Sequence, residues 1–283
     1  MKIKNLVRNI NYFFDRLYVS LMYVLFFSRK LNWKHPTRYT EKIQIFKISN
    51  EAESLSSFVD KYEVRKYVEK TVGTQYLVPI LGVFDDVSQI DLKALPRQFV
   101  LKTTHGSGWN VICKDKNKVD WNKEFSNLSL WMKKNYYNSP GRERQYKNIK
   151  PKIICEKYIF EGKEGLIDYK IYCFSGKPYC IRAMVGRYTH LRKSTYDLDW
   201  KPYPLNFIFN PPIPLAHIPK PKNLQKMIRI AAKLSAPFPE VRVDLYNVDG
   251  QIYFGELTFT PSGGLERFDP DSCDEMFGSF FNL

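Results

Sequence analysis

The chain has 283 residues, enough for one large domain or two small ones. Hydrophobic residues make up 44% and aromatics 16%, which supports a packed core and excludes a disordered protein. Lys and Arg number 44 against 29 Asp and Glu, a formal net charge of +15, so anionic partners are expected: nucleotides, phosphorylated or carboxylated sugars, acidic headgroups. No zinc-finger spacing, RNP-like aromatic motif or basic repeat accompanies that charge, so nucleic acid is not expected. The five cysteines lie mostly in apolar runs without metal spacing and read as buried free thiols of a reducing cytoplasm.

Residues 1–30 place Ile3, Leu6, Ile10, Phe13, Leu17, Leu21 and Val24 at helical spacing among Lys and Arg. The purely apolar part, residues 21–27, is too short to span a bilayer. Phe-Phe-Ser-Arg-Lys after it does not suit signal-peptide cleavage. Two readings stand. One is a basic amphipathic helix in peripheral contact with the inner face of a membrane. The other is a helix packed on the body of a cytoplasmic protein. Thr40-Glu41-Lys42-Ile43 after Pro36 predicts a capped helix start. Residues 58–69 predict one continuous helix with Asp60, Lys61 and Arg65 near one face, either solvated or set against a substrate. After Gly73, residues 76–84 predict a buried strand ending in an Asp85-Asp86 turn.

Residues 99–114 read as strand, loop, strand. Lys102 ends the first strand, and His105, Gly106, Ser107 and Gly108 form the loop. This is neither a P-loop nor a dinucleotide fingerprint. A strand lysine with a glycine loop suits phosphates, although plain hairpins also carry Gly-Ser-Gly. Residues 121–150 predict a helix and a basic connector. Lys152 to Ile159 is a strand carrying Glu156, Lys157 and Tyr158, followed by Glu161 and Glu164. Residues 168–185 form a hairpin with Asp168, Lys170 and Tyr172 on one face, and Arg182 and Arg187 on the strand that follows. A Pro-rich extended loop over 200–221 and a helix over 223–234 lead to the last informative stretch, 241–264.

That stretch predicts a hairpin around Asp249-Gly250. A three-residue loop, 248–250, puts Arg242, Asp244, Glu256 and Thr258 on one face and Val243, Leu245 and Leu257 on the other. A two-residue loop would break that parity. Paired carboxylates beside an Arg and a hydroxyl suit a metal-nucleotide site, and a salt-bridged hairpin face suits them too.

From about Phe99 onward these pieces, in this order, resemble an ATP-grasp enzyme. The resemblance implies an α/β (α+β) fold in which two lobes clasp ATP, with a helical N-terminal extension. It implies that Lys102 and Lys170 contact phosphates, that the loop at His105 to Gly108 covers them, and that Glu156, Lys157 and Tyr158 hold adenine. Glu161 or Glu164 stands where the ribose acid is expected, with Asp168 also at the nucleotide. Arg242, Asp244 and Glu256 match the hairpin that binds magnesium. Thr258 stands where an Asn is usual. More narrowly, the chain resembles the TupA-like ATP-grasp family of teichuronopeptide and capsule biosynthesis. The carrying stretches are Thr40 to Ile43, Asp60 to Arg65, Lys102 to Gly108, Asp168 to Pro178 and Phe254 to Gly264. The implied division is a basic helix over 1–35, a helical region over 36–96, and lobes over 97–150 and 151–283. The implied activity is ATP- and Mg2+-dependent ligation of an amine or amino acid to a sugar carboxylate. Arg242 would stabilise the transferred phosphoryl group, and Lys61, Arg65, Arg182 and Arg187 are candidates to hold the acceptor. A glycosyltransferase using a nucleotide sugar, whose D-x-D signature is not clear here, is one rival. A non-catalytic membrane-associated assembly protein is the other.

Overall fold

The computed structural model describes residues 2–160, 165–187, 189–208 and 213–283, with the backbone alone for 2–11 and 207–208. Five helices open the chain: α1 (Lys2–Phe27), α2 (Tyr39–Phe46), α3 (Asn50–Ser54), α4 (Ser56–Val59) and α5 (Val64–Thr71). The start of α2 is capped as expected. The Glu41 carboxylate accepts the N–H groups of Thr37 and Arg38 at 3.0 and 3.2 Å.

The continuous helix expected over 58–69 does not form. Asp60 is extended, and its Oδ1 accepts the N–H groups of Tyr62 and Glu63 at 2.7 and 3.0 Å. A short acidic side chain offers the backbone a local partner that competes with the helical ladder. The break lets the Lys61 N–H donate to the Thr104 carbonyl at 3.2 Å, which brings Lys61 to the glycine loop.

The first sheet contains β1 (Ile80–Phe84), β2 (Phe99–Thr103), β3 (Asn110–Cys113) and β4 (Ile153–Lys157), ordered β1-β4-β2-β3 and antiparallel throughout. Helix α6 (Trp121–Lys133) closes it, and Phe99, Leu101, Leu128 and Ile153 are buried together. β1 is an edge strand, half-buried rather than buried. β4 lies beyond the boundary expected at 150, yet its partners β1 and β2 belong to this sheet.

The second sheet contains β5 (Asp168–Phe174), β6 (Lys177–Val185) and β7 (Arg192–Tyr196), followed in the chain by β8 (Asn206–Ile208) and α7 (Leu224–Ser235). Then come β9 (Glu240–Val248), β10 (Gln251–Thr258), β11 (Arg267–Asp269) and α8 (Ser272–Phe280). The sheet order is β10-β9-β5-β6-β7, and β8 pairs separately with β11. One face packs on α7: Ile171, Ile181, Val243, Leu245 and Leu257 meet Met227, Ile230 and Leu234. Helix α7 is amphipathic at helical period, so one apolar stripe suffices to cover that face. The other face is left for polar chemistry. A second cluster, Tyr39 with Phe174, Phe268 and Phe277, ties α2 to α8. Among the described residues, two large sheets and eight α-helices form the expected α+β architecture.

Glu240 sits at the start of β9 and is fully buried, with the Tyr39 hydroxyl donating to its Oε1 at 2.6 Å. Burial pushes its carboxyl up to about 8, against the smaller pulls of Tyr39 and Arg242. A raised carboxyl stabilises the fold below its ordinary value of 4.5, and that contribution is lost as pH rises through about 8. Glu240→Gln is therefore expected to remove a loss of roughly 5 kcal/mol that the native protein suffers between those limits. Thermal unfolding at pH 5 and pH 9 checks this. A native protein as stable at pH 9 as the variant would refute it.

Candidate nucleotide and metal site

The hairpin of β9 and β10 is built differently from expectation, and the difference keeps its polar face together. Val248 pairs with Gln251, leaving a two-residue turn in which Asp249 and Gly250 both have positive φ, 50° and 92°. That is a type I′ turn, whose twist matches the strands it joins. It would put Glu256 on the face opposite Asp244. A β-bulge at Gly255 restores the parity, so Glu256 pairs with Asp244 and Thr258 with Arg242. Gly255 approaches the neighbouring strand closely. An added Cβ would lie 3.0 Å from the Asp244 carbonyl oxygen and 3.3 Å from the Tyr246 ring.

The registers of four strands then align a row of charge across the sheet. Glu256 on β10 opposes Asp244 on β9, Asp244 opposes Lys170 on β5, and Lys170 opposes Arg182 on β6. Adjacent strands lie about 4.8 Å apart, so neighbours in the row touch. The Lys170 ammonium donates to Asp244 Oδ2. Arg242 grips the same carboxylate in bidentate fashion, Nε to Oδ1 at 2.7 Å and Nη2 to Oδ2 at 2.8 Å. Burial pushes the Asp244 carboxyl up, but Arg242 and Lys170 outweigh it and hold the group at about 2. Asp244 is thus a fixed anion. Glu256 is 39% exposed and faces the cleft, with Arg242 3.5 Å away.

The opposite wall comes from the first sheet. Lys102 faces the cleft from the end of β2, paired with Glu156 at 2.6 Å. Pleating and register bring Val100, Asn110 and Ile112 to the same wall. Arg65 donates to the Val78 carbonyl at 2.9 Å and lies 3.4 Å from Glu156. The Lys61 ammonium donates to the Gly106 carbonyl and so ties down the glycine loop. Burial pulls the Lys61 pKa down, against Glu256. Between the walls lies a cleft of about 410 Å3, within the range of small-molecule sites. Its lining joins cations, carboxylates and the apolar residues Val78, Val100, Ile112 and Phe254.

Of the residues singled out from the sequence, Lys61, Arg65, Lys102, Ser107, Gly108, Glu156, Lys157, Tyr158, Asp168, Lys170, Arg187, Asp244 and Glu256 line this cleft. Asp168 takes Arg187, with Nε and Nη2 both on Oδ2 at 2.9 and 2.6 Å. Several others do not line it. His105 is buried against Trp109, and its Nε2 lies 3.1 Å from the carbonyls of Trp131 and Lys134 at the end of α6. Burial keeps the imidazole below its ordinary pKa. It shapes the loop from behind. Gly106 is packed on Trp109 and Tyr136, where an added Cβ would lie 2.5 Å from the indole. Arg182 is buried against Glu266 at 2.8 Å. Glu161 and Glu164 lie outside the described residues.

Thr258 is the weakest of the expected metal ligands. Its hydroxyl donates to Glu256 Oε1 at 3.1 Å and accepts from Arg242 at 3.1 Å, so it orients neighbours instead of facing the cleft. Among the described residues no group of three or more His, Cys, Asp or Glu side chains is placed to hold a metal. Two hard carboxylates, Asp244 and Glu256, remain. That donor set fits a magnesium ion completed by phosphate oxygens and water, which is how this ion is usually bound. The cleft residues missed from the sequence, such as Val100, Asn110, Ile112 and Tyr246, follow from alternation once Lys102 and Asp244 are placed. A D-x-D triplet, Asp197-Leu198-Asp199, was also missed. The Asp197 carboxylate accepts the N–H groups of Asp199 and Lys201 at 2.9 and 2.8 Å, closing a turn, and does not line the cleft.

The model of the TupA-like ATP-grasp family matches residues 41–282. The chain belongs to that family. The match begins within α2 and takes in both sheets and the whole charge row. No curated protein matches this TupA-like chain. Among solved structures it is similar to the ATP-grasp ligase PsnB complexed with minimal precursor, Mg and ADP. That similarity has 9% identity and a TM-score of 0.39, and covers 78% of this chain and 58% of that one. It is also similar to D-alanine–D-alanine ligase from Bacillus anthracis complexed with ATP, at 15% identity and TM-score 0.40, covering 72% and 55%. A third is N5-carboxyaminoimidazole ribonucleotide synthetase from Thermus thermophilus, at 13% identity and TM-score 0.38, covering 73% and 46%. The TupA-like chain thus spans only about half the length of these proteins, from 46% to 58%.

Proposed function

We propose that the chain is an ATP- and magnesium-dependent carboxylate–amine ligase acting on a carboxylated sugar, such as a hexuronic acid, of a cell-surface polysaccharide. The observation that carries the ligase reading is the charge row facing Lys102 across one cleft. Phosphoryl transfer between anions needs positioned cations and little else from the protein. Lys102 meets the nucleotide phosphates from the first sheet, with Lys61 beside it from the segment between α4 and α5, and Lys170 and Arg242 neutralise charge from the second. Asp244 and Glu256 would hold magnesium, which would supply charge neutralisation at the phosphoryl oxygens. The substrate carboxylate oxygen takes the γ-phosphoryl group of ATP, giving an acyl phosphate and ADP. The amine nitrogen then bonds to the acyl carbon, the C–O bond to phosphate breaks, and the amine gives up a proton. The Ser107-Gly108 loop keeps water from the acyl phosphate. The strongly basic chain supports an anionic acceptor.

Release of ADP and phosphate by the purified protein, dependent on both a uronic acid and an amine and accompanied by an amide product mass, tests this reading. Release of a nucleoside diphosphate from a sugar donor without ATP would overturn it. Lys102→Met is expected to raise the KM for ATP about 10- to 100-fold, the worth of one charge-assisted contact. Its partner Glu156 is a buried carboxylate left with only Arg65 at 3.4 Å, so stability should also fall by about 1–3 kcal/mol. Steady-state kinetics with a parallel melting curve checks both.

A further inference from the structure

Helix α1 has two unlike faces. One face packs on the body: Asp15, Val19 and Tyr23 are buried. Tyr137 donates to both Asp15 oxygens at 2.7 and 2.6 Å, and Arg144 lies 3.2 Å from the same carboxylate. The opposite face is bare. Phe13, Phe14, Leu17, Leu21, Val24 and Leu25 are between 40% and 67% exposed. At 100° per residue they fall within one arc, directly opposite the packed side. The stripe runs about 18 Å along the helix. Among the described residues nothing covers it. A continuous apolar stripe of this size is not a chance exposure.

The charge around the stripe says what covers it. Residues 1–40 contain eight Lys and Arg against one acid; that acid, Asp15, is turned inward and neutralised, while Arg29 and Arg38 pair with Asp271 and Glu275 near the start of α8. Arg16, Lys30 and Lys34 are exposed. Arg16 stacks on Trp33 at 4.4 Å, and the Trp33 indole donates to Ser20 at 2.9 Å. Large apolar side chains bordered by cations and an amphipathic aromatic match the boundary between acyl chains and anionic headgroups. A second protein copy would need acids to meet those cations, and this stripe brings none. No described helix is long and apolar enough to cross a membrane, so a helix seated by this stripe would lie flat on the surface.

We infer that the outer face of α1 docks the protein on an anionic lipid surface. This rests on α1 alone and stands or falls separately from the ligase reading. The full chain is expected to co-sediment with vesicles of equal parts phosphatidylcholine and phosphatidylglycerol, and to remain in solution with phosphatidylcholine alone. Phe13→Ser with Leu17→Ser and Leu21→Ser should reduce the bound fraction at least about tenfold, since insertion scales with apolar area. These side chains support no core, so the melting temperature should not move. Arg16→Gln with Lys30→Gln, which leaves the stripe intact, should weaken binding to the anionic vesicles and make it less sensitive to salt. Equal binding by native chain and triple variant would overturn the inference. So would sedimentation velocity showing a dimer that the triple variant dissociates, with no vesicle binding by the native chain.

Discussion

Glu256→Gln is expected to lower ATP turnover by about 10³-fold, the scale of losing one preorganised electrostatic contact at a transferring phosphoryl group. Its fold should stay intact, because Glu256 is 39% exposed and its contact with Arg242 is a loose 3.5 Å. Asp244→Asn should lose at least as much activity but also about 3–5 kcal/mol of stability, because it leaves Arg242 and Lys170 buried without their anion. The contrast separates the site from the scaffold. If both variants kept magnesium-dependent turnover, the metal assignment would be wrong. The pH dependence has a definite sign. Asp244 is held at about 2, below its ordinary value of 3.8, so its contribution is present above that value and lost as pH falls through about 2. The native protein should lose about 2 kcal/mol over that window through this group, and Asp244→Asn should lack that component. Acid unfolding followed by circular dichroism reads the difference.

Deleting Gly255 should leave the polar face assembled. With the bulge gone and the two-residue turn kept, Phe254 stays opposite Leu245 and Glu256 follows directly opposite Asp244, the partner it has now. Leu257, 2% exposed, keeps its place under α7. The bulge therefore absorbs one extra residue without turning Glu256 into the core. The expected outcome is a deletion variant that still shows ATP-induced thermal stabilisation. Gly255→Ala keeps the extra residue and meets the Asp244 carbonyl at 3.0 Å, so it should cost about 1–2 kcal/mol. A deletion variant that folded but no longer bound ATP would show that strand register alone does not assemble the site.

Much of this arrangement is legible in the sequence because it is local. Alternation in 241–264 places Arg242, Asp244, Glu256 and Thr258 on one face, and Lys102 marks the cleft side of its hairpin. The loop length is not legible. Asp249-Gly250 suits a turn of either length, and the parity of the face depends on a bulge whose only trace is a glycine. The interruption at Asp60 is hidden for a similar reason, since an acid at a helical position either joins the surface or caps the next turn. What decides is a distant partner, the Thr104 carbonyl, which docks the segment on the glycine loop. The place of β4 in the first sheet is likewise a matter of partners some fifty to seventy residues earlier, β2 and β1. His105 misleads because a histidine beside glycines suggests chemistry, while its ring is occupied by the end of α6.

Asp15 holds α1 to Tyr137, and the preceding residue, Tyr136, lies edge-on to Trp109 at 5.3 Å and behind Gly106. The outward-facing helix and the glycine loop are therefore joined through two adjacent tyrosines. Linkage makes any coupling between them reciprocal. If α1 docks on lipid and the cleft takes nucleotide, whatever factor attachment applies to nucleotide affinity, nucleotide must apply to attachment, so the protein would sense its location and its cosubstrate in the same currency.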